Sequence, residues 1–315
     1  MPASPCDTSS VRVPKLLNEA AIMTPWGCSG GGERHSLLIG TPRIGVPLTL
    51  GLLLATWPAA AHGPLFSAGP ETPWKGAVEI TAGYHLERAS GAGETERERE
   101  AFLELEYGIT PTWQINAEIP YTWKEEDGLD SDNVGDITLG TKYNFWRVDL
   151  PGAQWKASAL FKTKLPTGND ESEPRSGTGS TDFIGGLAAG YEGRRWYGFV
   201  DARYRLNTEG AGGRKQGDKL FLDLVGGVRP VLTGYLEPDT VFFLELNWEY
   251  ADRDELSGVA LADTRGWELF ISPAIWWTYR QVAIKGGVQI PIAGNLNGNQ
   301  PSSDYRALIE LVYHF

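Results

Sequence analysis

Apolar and polar residues alternate along most of the chain beyond residue 74, with the period of two that is typical of β-strands. The clearest case is the stretch "WQINAEIPYTW", in which every second residue from Trp113 to Trp123 is apolar or aromatic. A tilted strand of about 9–11 residues with aromatic rings at both ends is what an outer-membrane-type barrel presents to lipid. The pattern therefore predicts strands that face lipid on one side.

Twelve segments carry this alternation, and they begin near residues 78, 103, 113, 137, 155, 183, 196, 220, 242, 267, 282 and 309. Most connections alternate between long polar loops, such as "PTGNDESEPRSGTGS" or "ASGAGETERE", and short turns such as "ITPT". Bacterial barrels show the same alternation, and an even strand number places both chain ends on the periplasmic side. We therefore expect an all-β fold, a transmembrane antiparallel up-and-down β-barrel of about 12 strands, over residues 74–315.

A water-soluble β-sandwich or barrel is the main structural alternative, because its strands alternate too. Its apolar face would line a packed core of Val, Leu and Ile. Here Trp and Tyr, 12 of each, recur at strand ends, as in the aromatic belts of membrane proteins. The opposite face carries charge at mid-strand positions, which a water-filled lumen tolerates. These features favour the membrane barrel.

The first 61 residues have a different character and are predicted to be an N-terminal extension followed by a signal peptide. The apolar run, at about residues 44–58, is shorter than the roughly 20 residues that a membrane-spanning helix needs. It ends in small residues, so we expect cleavage between Ala61 and His62. Natural translation is expected to start nearer Arg34. Residues 62–73 are then predicted to be a periplasmic segment.

Charge and composition exclude several functions. The formal net charge is −12, and an acidic chain of this kind does not supply the basic face that nucleic acid requires. Both cysteines, Cys6 and Cys28, precede the predicted cleavage point, so no disulfide or cysteine-bound metal is expected in the mature chain. After cleavage, the amino group and imidazole of His62 could together bind copper, although an unstructured terminus is the simpler interpretation. No cofactor is predicted.

Three blocks of sequence carry a resemblance to a known family. They are "GDITLGTKYNF" at 135–145, "KLPTG" at 164–168 and "GTGSTDF" at 177–183. Their spacing resembles the outer-membrane transporter family of the MetA pathway of phenol degradation. The resemblance covers most of the mature chain and implies a roughly twelve-stranded barrel that takes up or exports small molecules, often aromatic or hydrophobic. It implies no catalytic residues.

The resemblance also gives a meaning to the last strand, "IELVYHF", whose outer face contains Leu311, Tyr313 and Phe315. A terminal aromatic residue on an alternating strand resembles the signal that the barrel-assembly machinery recognises. In the three blocks themselves, Pro166 ends a strand and Gly168 begins the longest loop. We interpret these residues first as structural ones that mark the boundary between strand and loop.

Charged residues on the polar strand faces would point into the lumen, and they are the candidate selectivity residues. They are Glu104, Glu106, Glu118, Asp136, Lys142, Lys156, Lys162, Lys164, Asp201, Arg203 and Arg205. They could pair across strands and stiffen a water-filled or plugged barrel. Alternatively, they could form an acidic wall and a basic wall whose field orients a polar or zwitterionic solute. A barrel of twelve strands is wide enough for a restricted channel.

The sequence thus predicts an outer-membrane channel or transporter in which small, often aromatic or hydrophobic, solutes diffuse passively past a mixed-charge lumen. Its expected partners are outer-membrane lipid, the assembly machinery and the solute, and it is not expected to be an enzyme. Two alternatives stay open. One is an outer-membrane hydrolase with a rim site near His85, close to Glu87 and Ser90. The other is a structural or adhesive barrel that acts through its acidic extracellular loops.

Overall fold

The computed structural model of the chain describes residues 63–91, 94–126, 128–234 and 236–315. The predicted signal peptide, its cleavage point and the copper-binding hypothesis for His62 lie outside the described residues. The strands are β1 (Val78–Gly91), β2 (Glu94–Thr110), β3 (Trp113–Glu126), β4 (Leu129–Val134), β5 (Thr138–Leu150), β6 (Ala153–Lys164), β7 (Asp182–Gly193), β8 (Trp196–Leu206), β9 (Arg214–Lys215), β10 (Lys219–Val228), β11 (Asp239–Ala251), β12 (Glu255–Leu256), β13 (Val259–Ala260), β14 (Gly266–Tyr279), β15 (Val282–Leu296) and β16 (Ser302–His314).

The long strands form one closed antiparallel barrel. Neighbours along the chain pair with each other, and β1 pairs with β16 to close the sheet. Two strands share one position, because β3 pairs with β4 through its second half and with β5 through its first half. The 13 strands of the sheet therefore occupy twelve barrel positions. The predicted twelve-stranded, antiparallel, up-and-down barrel is confirmed.

The described structure contains almost no helix. It contains a single short 3₁₀ turn, Ala211–Gly213, in the connection between β8 and β10. No helix among the described residues has the length and apolar character needed to cross a bilayer. A small three-stranded sheet of β9, β12 and β13 joins the connections at the long-loop end.

Two connections differ from the sequence-based expectation. The stretch "ASGAGETERE" was predicted to be a long loop, but β1 and β2 stay paired as far as Gly91 and Glu94. The stretch "EEDGLDSDN" likewise forms the tight hairpin between β3 and β4. Ion pairs such as Lys124–Glu98, 3.2 Å, link neighbouring strands in these extensions. Charged residues therefore continue the strands here, where their abundance suggested a loop.

The outward faces match the predicted lipid-facing positions. Leu222, Leu244 and Ile309 are 45%, 51% and 55% exposed, although each lies in the middle part of a strand. Exposed rings, including Trp113, Trp155 and Trp196, lie on this face near the short turns, and Tyr204 lies on it near the loops. An apolar band between aromatic belts is the surface that a barrel needs in lipid.

The inward face is less polar than the sequence suggested. A cluster of buried apolar side chains lies on the inner wall, from β8 round to β16: Tyr197, Phe199, Val225, Val241, Phe243, Ala274, Trp276, Ala283 and Val312. Two of its rings lie against glycines of neighbouring strands. A Cβ atom on Gly190 would lie 2.4 Å from Cδ1 of Phe199, and one on Gly227 would lie 2.5 Å from Cε1 of Phe243. These rings therefore lie along the wall and take up little of the lumen.

Candidate functional site in the barrel lumen

The lumen contains a segment that precedes the first strand, residues 63–74, which we call the strap. It leaves β1 at the short-turn end, where Gly76 N donates a 2.7 Å hydrogen bond to Gly108 O. From there it follows the inner wall past β5, β6 and β8 to β11. Residues 62–73 were expected to lie in the periplasm, and their own sequence gives no sign of these contacts inside the barrel.

Two buried carboxylates bind the first half of the strap. Glu245 Oε1 accepts a hydrogen bond from Leu65 N at 2.7 Å, and its Oε2 accepts one from Ser67 Oγ at 2.6 Å. Phe66 N also donates to Oε2, at 3.2 Å. Asp201 Oδ2 accepts from Ala68 N at 2.9 Å. Neither Glu245 nor Asp201 is more than 3% exposed.

The second half of the strap is bound through its carbonyl oxygens. Ser158 Oγ and Asn144 Nδ2 both donate to Pro70 O. Lys142 Nζ donates to Glu71 O at 3.0 Å. The inner wall thus provides acceptors for the N–H groups at one end of the strap and donors for the carbonyl groups at the other.

Beside the strap lies a cavity of about 810 Å³. One wall is acidic and comes from β2 and β3, and the next wall is basic and comes from β5 and β6. Its charged lining includes Glu104, Glu106, Glu118, Lys142, Lys156 and Lys162, with Arg203 on β8 and Lys285 and Glu310 on β15 and β16. Apolar side chains such as Phe102 and Leu160 lie among them. Seven of the eleven candidate selectivity residues therefore line this cavity.

Several lumen charges are paired with charges of opposite sign on the same strand or on other strands. Arg203 Nε lies 2.7 Å from Asp201 Oδ1, and the same guanidinium contacts Asp223. Lys156 Nζ lies 4.0 Å from Glu192. Other pairs were not predicted from the sequence, namely Lys285–Glu310 at 3.1 Å, Arg306–Glu249 at 2.7 Å, Arg306–Glu87 at 2.8 Å and His314–Glu79 at 2.8 Å. Their inward positions at period two were the available signal.

Lys162 differs from these paired cations. Within the described part of the chain it has no carboxylate within ion-pair distance, although Glu104, Glu118 and Glu106 all act on it electrostatically. Two of these carboxylates are held by neutral amides. Asn116 Nδ2 donates to Glu104 at 2.6 Å, and Gln114 Nε2 donates to Glu106 at 2.8 Å. Lys162 therefore faces three carboxylates across the cavity, and Lys142 also acts on one of them, Glu106.

The strap contributes one titratable group to the cavity. Burial raises the pKa of the Glu71 carboxyl to about 7, an effect that Glu192 adds to and that the ammonium groups of Lys156 and Lys142 oppose. The ordinary value is 4.5, so the bound strap retains a proton that a free strap would lose. The strap is therefore held most strongly below about pH 4.5, and its binding weakens as the pH rises from there to about 7.

Asp136 and Lys164, two other candidate selectivity residues, lie in a separate buried network at the long-loop end. Lys164 Nζ lies 2.5 Å from Asp182 Oδ2 and 3.6 Å from Asp136 Oδ2. Asp136 also accepts hydrogen bonds from Gly168 N and Thr178 N, both at 2.9 Å. This network fastens both ends of the loop at residues 165–181. Arg205 lies close enough to act electrostatically on Asp182 and Asp136.

The same network explains the glycines of the three sequence blocks. A Cβ atom on Gly177 would lie 2.5 Å from the carbonyl carbon of Gly168, so the two ends of the loop meet backbone to backbone. The blocks around Asp136, Lys164 and Asp182 therefore form one unit in space. In the described structure they hold the two ends of the loop together. From the sequence, Pro166 and Gly168 were expected only to mark where the strand ends and the loop begins.

The geometry around His85 does not form a hydrolase site with Ser90. The two residues lie on opposite faces of β1, since they are five positions apart on a strand that pairs regularly with β2. Ser90 Oγ donates to Asp304 Oδ1 at 2.8 Å, and Glu87 pairs with Arg306. Among the described residues, no three His, Cys, Asp or Glu side chains are grouped so that they could hold a metal ion.

A solved structure with the same fold is an outer-membrane channel. The COG4313 outer membrane channel from Pseudomonas putida F1 aligns with a TM-score of 0.64 at 15% identity, covering 80% of this chain and 100% of that one. The β domain of the Bordetella autotransporter BrkA aligns with a TM-score of 0.47 at 11% identity, covering 75% and 98%. No curated protein gives a significant match to the chain.

A family model gives the most specific comparison. It matches residues 61–294, which is most of the chain and contains all three of the sequence blocks. The resemblance inferred from those blocks is confirmed, as is the location in the outer membrane. The chain belongs to the outer-membrane barrel family described as "Putative MetA-pathway of phenol degradation".

Proposed function

We propose that the protein is a channel through which small solutes diffuse passively across the outer membrane. The observation that carries this proposal is the charged cavity of about 810 Å³ inside the barrel. Cavities of about 300–1,000 Å³ suit small organic molecules. The structural neighbour from Pseudomonas putida is named as an outer membrane channel, and the family description refers to phenol degradation, which together favour a small aromatic solute.

We assign selectivity to the cavity charges that have no close partner of opposite sign among the described residues. Glu104, Glu106 and Glu118 form the acidic wall, and Lys142 and Lys162 face it from the basic wall. Charges that are already paired, such as Arg203 with Asp201, stiffen the barrel and contribute less to the field across the lumen. Both interpretations of the lumen charges therefore apply, each to different residues.

Replacing Lys162 with glutamate should shift ion selectivity strongly toward cations. The change adds a fourth carboxylate beside the three that Lys162 now partly offsets, so anions would be repelled from the cavity. Reversal potentials of the purified protein in planar bilayers under a salt gradient measure this shift. Lys75→Glu, the same change at an exposed position outside the cavity, is the matched control.

The channel proposal itself is tested by solute flux into liposomes, comparing aromatic acids, neutral aromatics and sugars. Absence of flux for every solute would refute it. Binding by the acidic loops without flux would instead favour the adhesive alternative. Equal reversal potentials for Lys162→Glu and the unmodified protein would remove Lys162 from the selectivity residues.

Ion selectivity should also depend on pH through Glu71. Raising the pH through about 7 ionises this carboxyl and adds a negative charge to the cavity wall, so cation preference should increase over that interval. Glu71→Gln should reduce the step, which reversal potentials recorded over a pH series would reveal. Glu171→Gln, at an exposed loop position, is the control. A step of unchanged size in Glu71→Gln would assign the titration to other groups.

We further propose that Leu311, Tyr313 and Phe315 are read by the barrel-assembly machinery. They lie on the lipid side of β16, and the rings of Tyr313 and Phe315 are in contact with centroids 4.5 Å apart. Phe315 is 60% exposed, while its N–H is held by Val78 O at 2.8 Å. Its ring is thus available for recognition. Insertion rates with and without Phe315 test this role.

A further inference from the structure

We propose that a recess at the short-turn end of the barrel binds the phosphate group of an anionic phospholipid from the adjoining membrane leaflet. The recess lies between the turn that joins β5 to β6 and the turn that joins β7 to β8. It has a volume of about 350 Å³, and its lining includes Gly152, Arg194, Tyr197 and Arg229. The site goes beyond the proposed channel function, because its ligand is a component of the membrane and is not a transported solute.

Basic residues are concentrated at this end of a chain that is acidic as a whole, with a formal net charge of −12. The connections at the short-turn end are residues 75–77, 111–112, 151–152, 194–195, 229–238 and 280–281. Their basic residues are Lys75, Arg194, Arg195, Arg229 and Arg280, and their one acidic residue is Glu237. A local excess of positive charge at a membrane surface attracts anionic headgroups.

The recess itself presents two guanidinium groups. Arg194 is exposed, and among the described residues no carboxylate lies within ion-pair distance of it. It lies against the neighbouring turn, where a Cβ atom on Gly152 would be 2.7 Å from its Nε atom. Arg229 lines the same recess and is positioned by Asp239, whose Oδ2 lies 2.8 Å from its Nη2. Because a guanidinium group can bind two phosphate oxygens at once, this pair suits a phosphate diester.

One carboxylate, that of Glu192, also lines the recess. It lies 4.0 Å from the ammonium group of Lys156, which offsets part of its charge. Glu192 and Gln154 line the channel cavity as well, so the recess adjoins the solute path. The choice between a lipid and a free anion therefore depends on what lies on the outer side of the recess.

The outer side of the recess favours a lipid. Leu150, which lines it, is 48% exposed on the lipid face. The rings of Trp155 and Tyr191 are in contact on the neighbouring strands β6 and β7, with centroids 4.9 Å apart. Trp196, which directly follows the turn at residues 194–195, is 64% exposed. Since Trp and Tyr are enriched at the level of lipid headgroups, the guanidinium group of Arg194 lies at the level of lipid phosphates.

The connection between β10 and β11 adds apolar contacts beside the recess. Val231, Leu232 and Leu236 are 66%, 52% and 59% exposed. The connection is held next to the β7–β8 turn, because Arg229 N donates a 2.8 Å hydrogen bond to Arg195 O. Exposed apolar side chains next to basic ones suit the boundary between headgroups and acyl chains. This connection is therefore placed in the same leaflet as the bound lipid.

Native mass spectrometry of the purified barrel measures lipid binding directly. With equal amounts of phosphatidylglycerol and phosphatidylethanolamine that carry the same acyl chains, the protein should retain phosphatidylglycerol preferentially. Arg194→Gln should lower this retention about tenfold, the effect of losing one hydrogen bond between charged groups. Arg280→Gln removes an exposed guanidinium at the same end but outside the recess, so it is the matched control and should leave retention unchanged.

Equal retention of the two lipids would overturn the proposal, as would equal retention by Arg194→Gln and the unmodified protein. A further arm adds inorganic phosphate at the same concentration as the lipid, and this ion should not displace phosphatidylglycerol. Displacement by phosphate would show that the recess is a site for free anions, and the proposal would fail.

A nitroxide label in reconstituted vesicles reports the depth of the apolar connection. Leu232→Cys is labelled in a protein in which Cys6 and Cys28 are replaced with serine, and Glu171→Cys, at an exposed position of the long loop, is the water-accessible reference. The label at residue 232 should be more accessible to oxygen, and less accessible to a water-soluble nickel complex, than the label at residue 171. Equal accessibility at the two positions would show that the connection lies in water and would overturn the proposal.

Discussion

Replacing Lys164 with methionine should destabilise the folded barrel by about 3–5 kcal/mol, because removal of one partner leaves buried charge without compensation. Lys164 is 7% exposed and lies between Asp136 and Asp182. Methionine keeps the length of the side chain and removes the ammonium group. Without the ammonium group, burial of the Asp136 carboxylate costs more free energy, which weakens its hydrogen bonds from Gly168 N and Thr178 N. Release of the loop at residues 165–181 should accompany the loss of stability.

Two measurements check this result. The unfolding midpoint in urea gives the change in stability, and limited proteolysis shows whether the loop becomes accessible. Glu171→Ala changes an exposed charge in the same loop and should leave both unchanged. A Lys164→Met protein with unaltered stability and an uncut loop would contradict this prediction. It would show that Arg205 is able to replace the missing cation and that Lys164 is not needed to hold the loop.

Leu244→Arg should destabilise the protein by about 2–4 kcal/mol, the cost of an arginine at the bilayer midplane on the lipid face of a barrel. Leu244 lies in the middle of β11, is 51% exposed and faces outward, whereas its neighbour Glu245 faces the strap. The cost therefore comes from moving a guanidinium into hydrocarbon. Folding into lipid vesicles, followed by urea titration, measures it.

The control for this change is Leu256→Arg, on the small sheet at the loop end. Leu256 is 48% exposed, similar to Leu244, but it lies outside the barrel strands. The same substitution there should cost little. Equal effects at the two positions would contradict the assignment of the outward apolar band to lipid.

The outer surface was predictable because lipid acts on every strand in the same way. Every second residue of each strand, such as Leu222 or Ile309, faces lipid and is apolar. A local pattern was therefore enough to predict the fold. The ends of the strands were less predictable. Gly91 and Glu94 continue a hairpin beyond the apolar band, where charged residues are compatible with either a strand or a loop.

The strap could not have been found in the same way. Its contact between Leu65 and Glu245 joins residues 180 positions apart, and no periodic pattern links them. The segment is short, rich in Gly and Pro, and resembles an ordinary linker. The one available signal was Glu245 itself, an acidic residue in the middle of the apolar strand "VFFLELNW" with no cationic neighbour in sequence.

The lumen was predicted only in part, because its inward face was expected to be polar. Lys142 and Lys162, which were expected to point inward together with Glu104 and Glu106, line one cavity. Phe199 and Phe243 were missed. Phe199 precedes an outward apolar residue in "GFVD", and Phe243 follows one in "VFFL". Adjacent apolar residues in a strand indicate that both faces of the strand lie in apolar surroundings.

The rings that lie against glycines have a consequence for how related sequences can differ. Phe199 has room only because Gly190 has no side chain, and Phe243 depends on Gly227 in the same way. A mutation that adds a side chain to either glycine forces the ring toward the cavity and narrows the lumen. We therefore expect such positions to vary together during evolution, with a smaller residue replacing the ring wherever the glycine is lost.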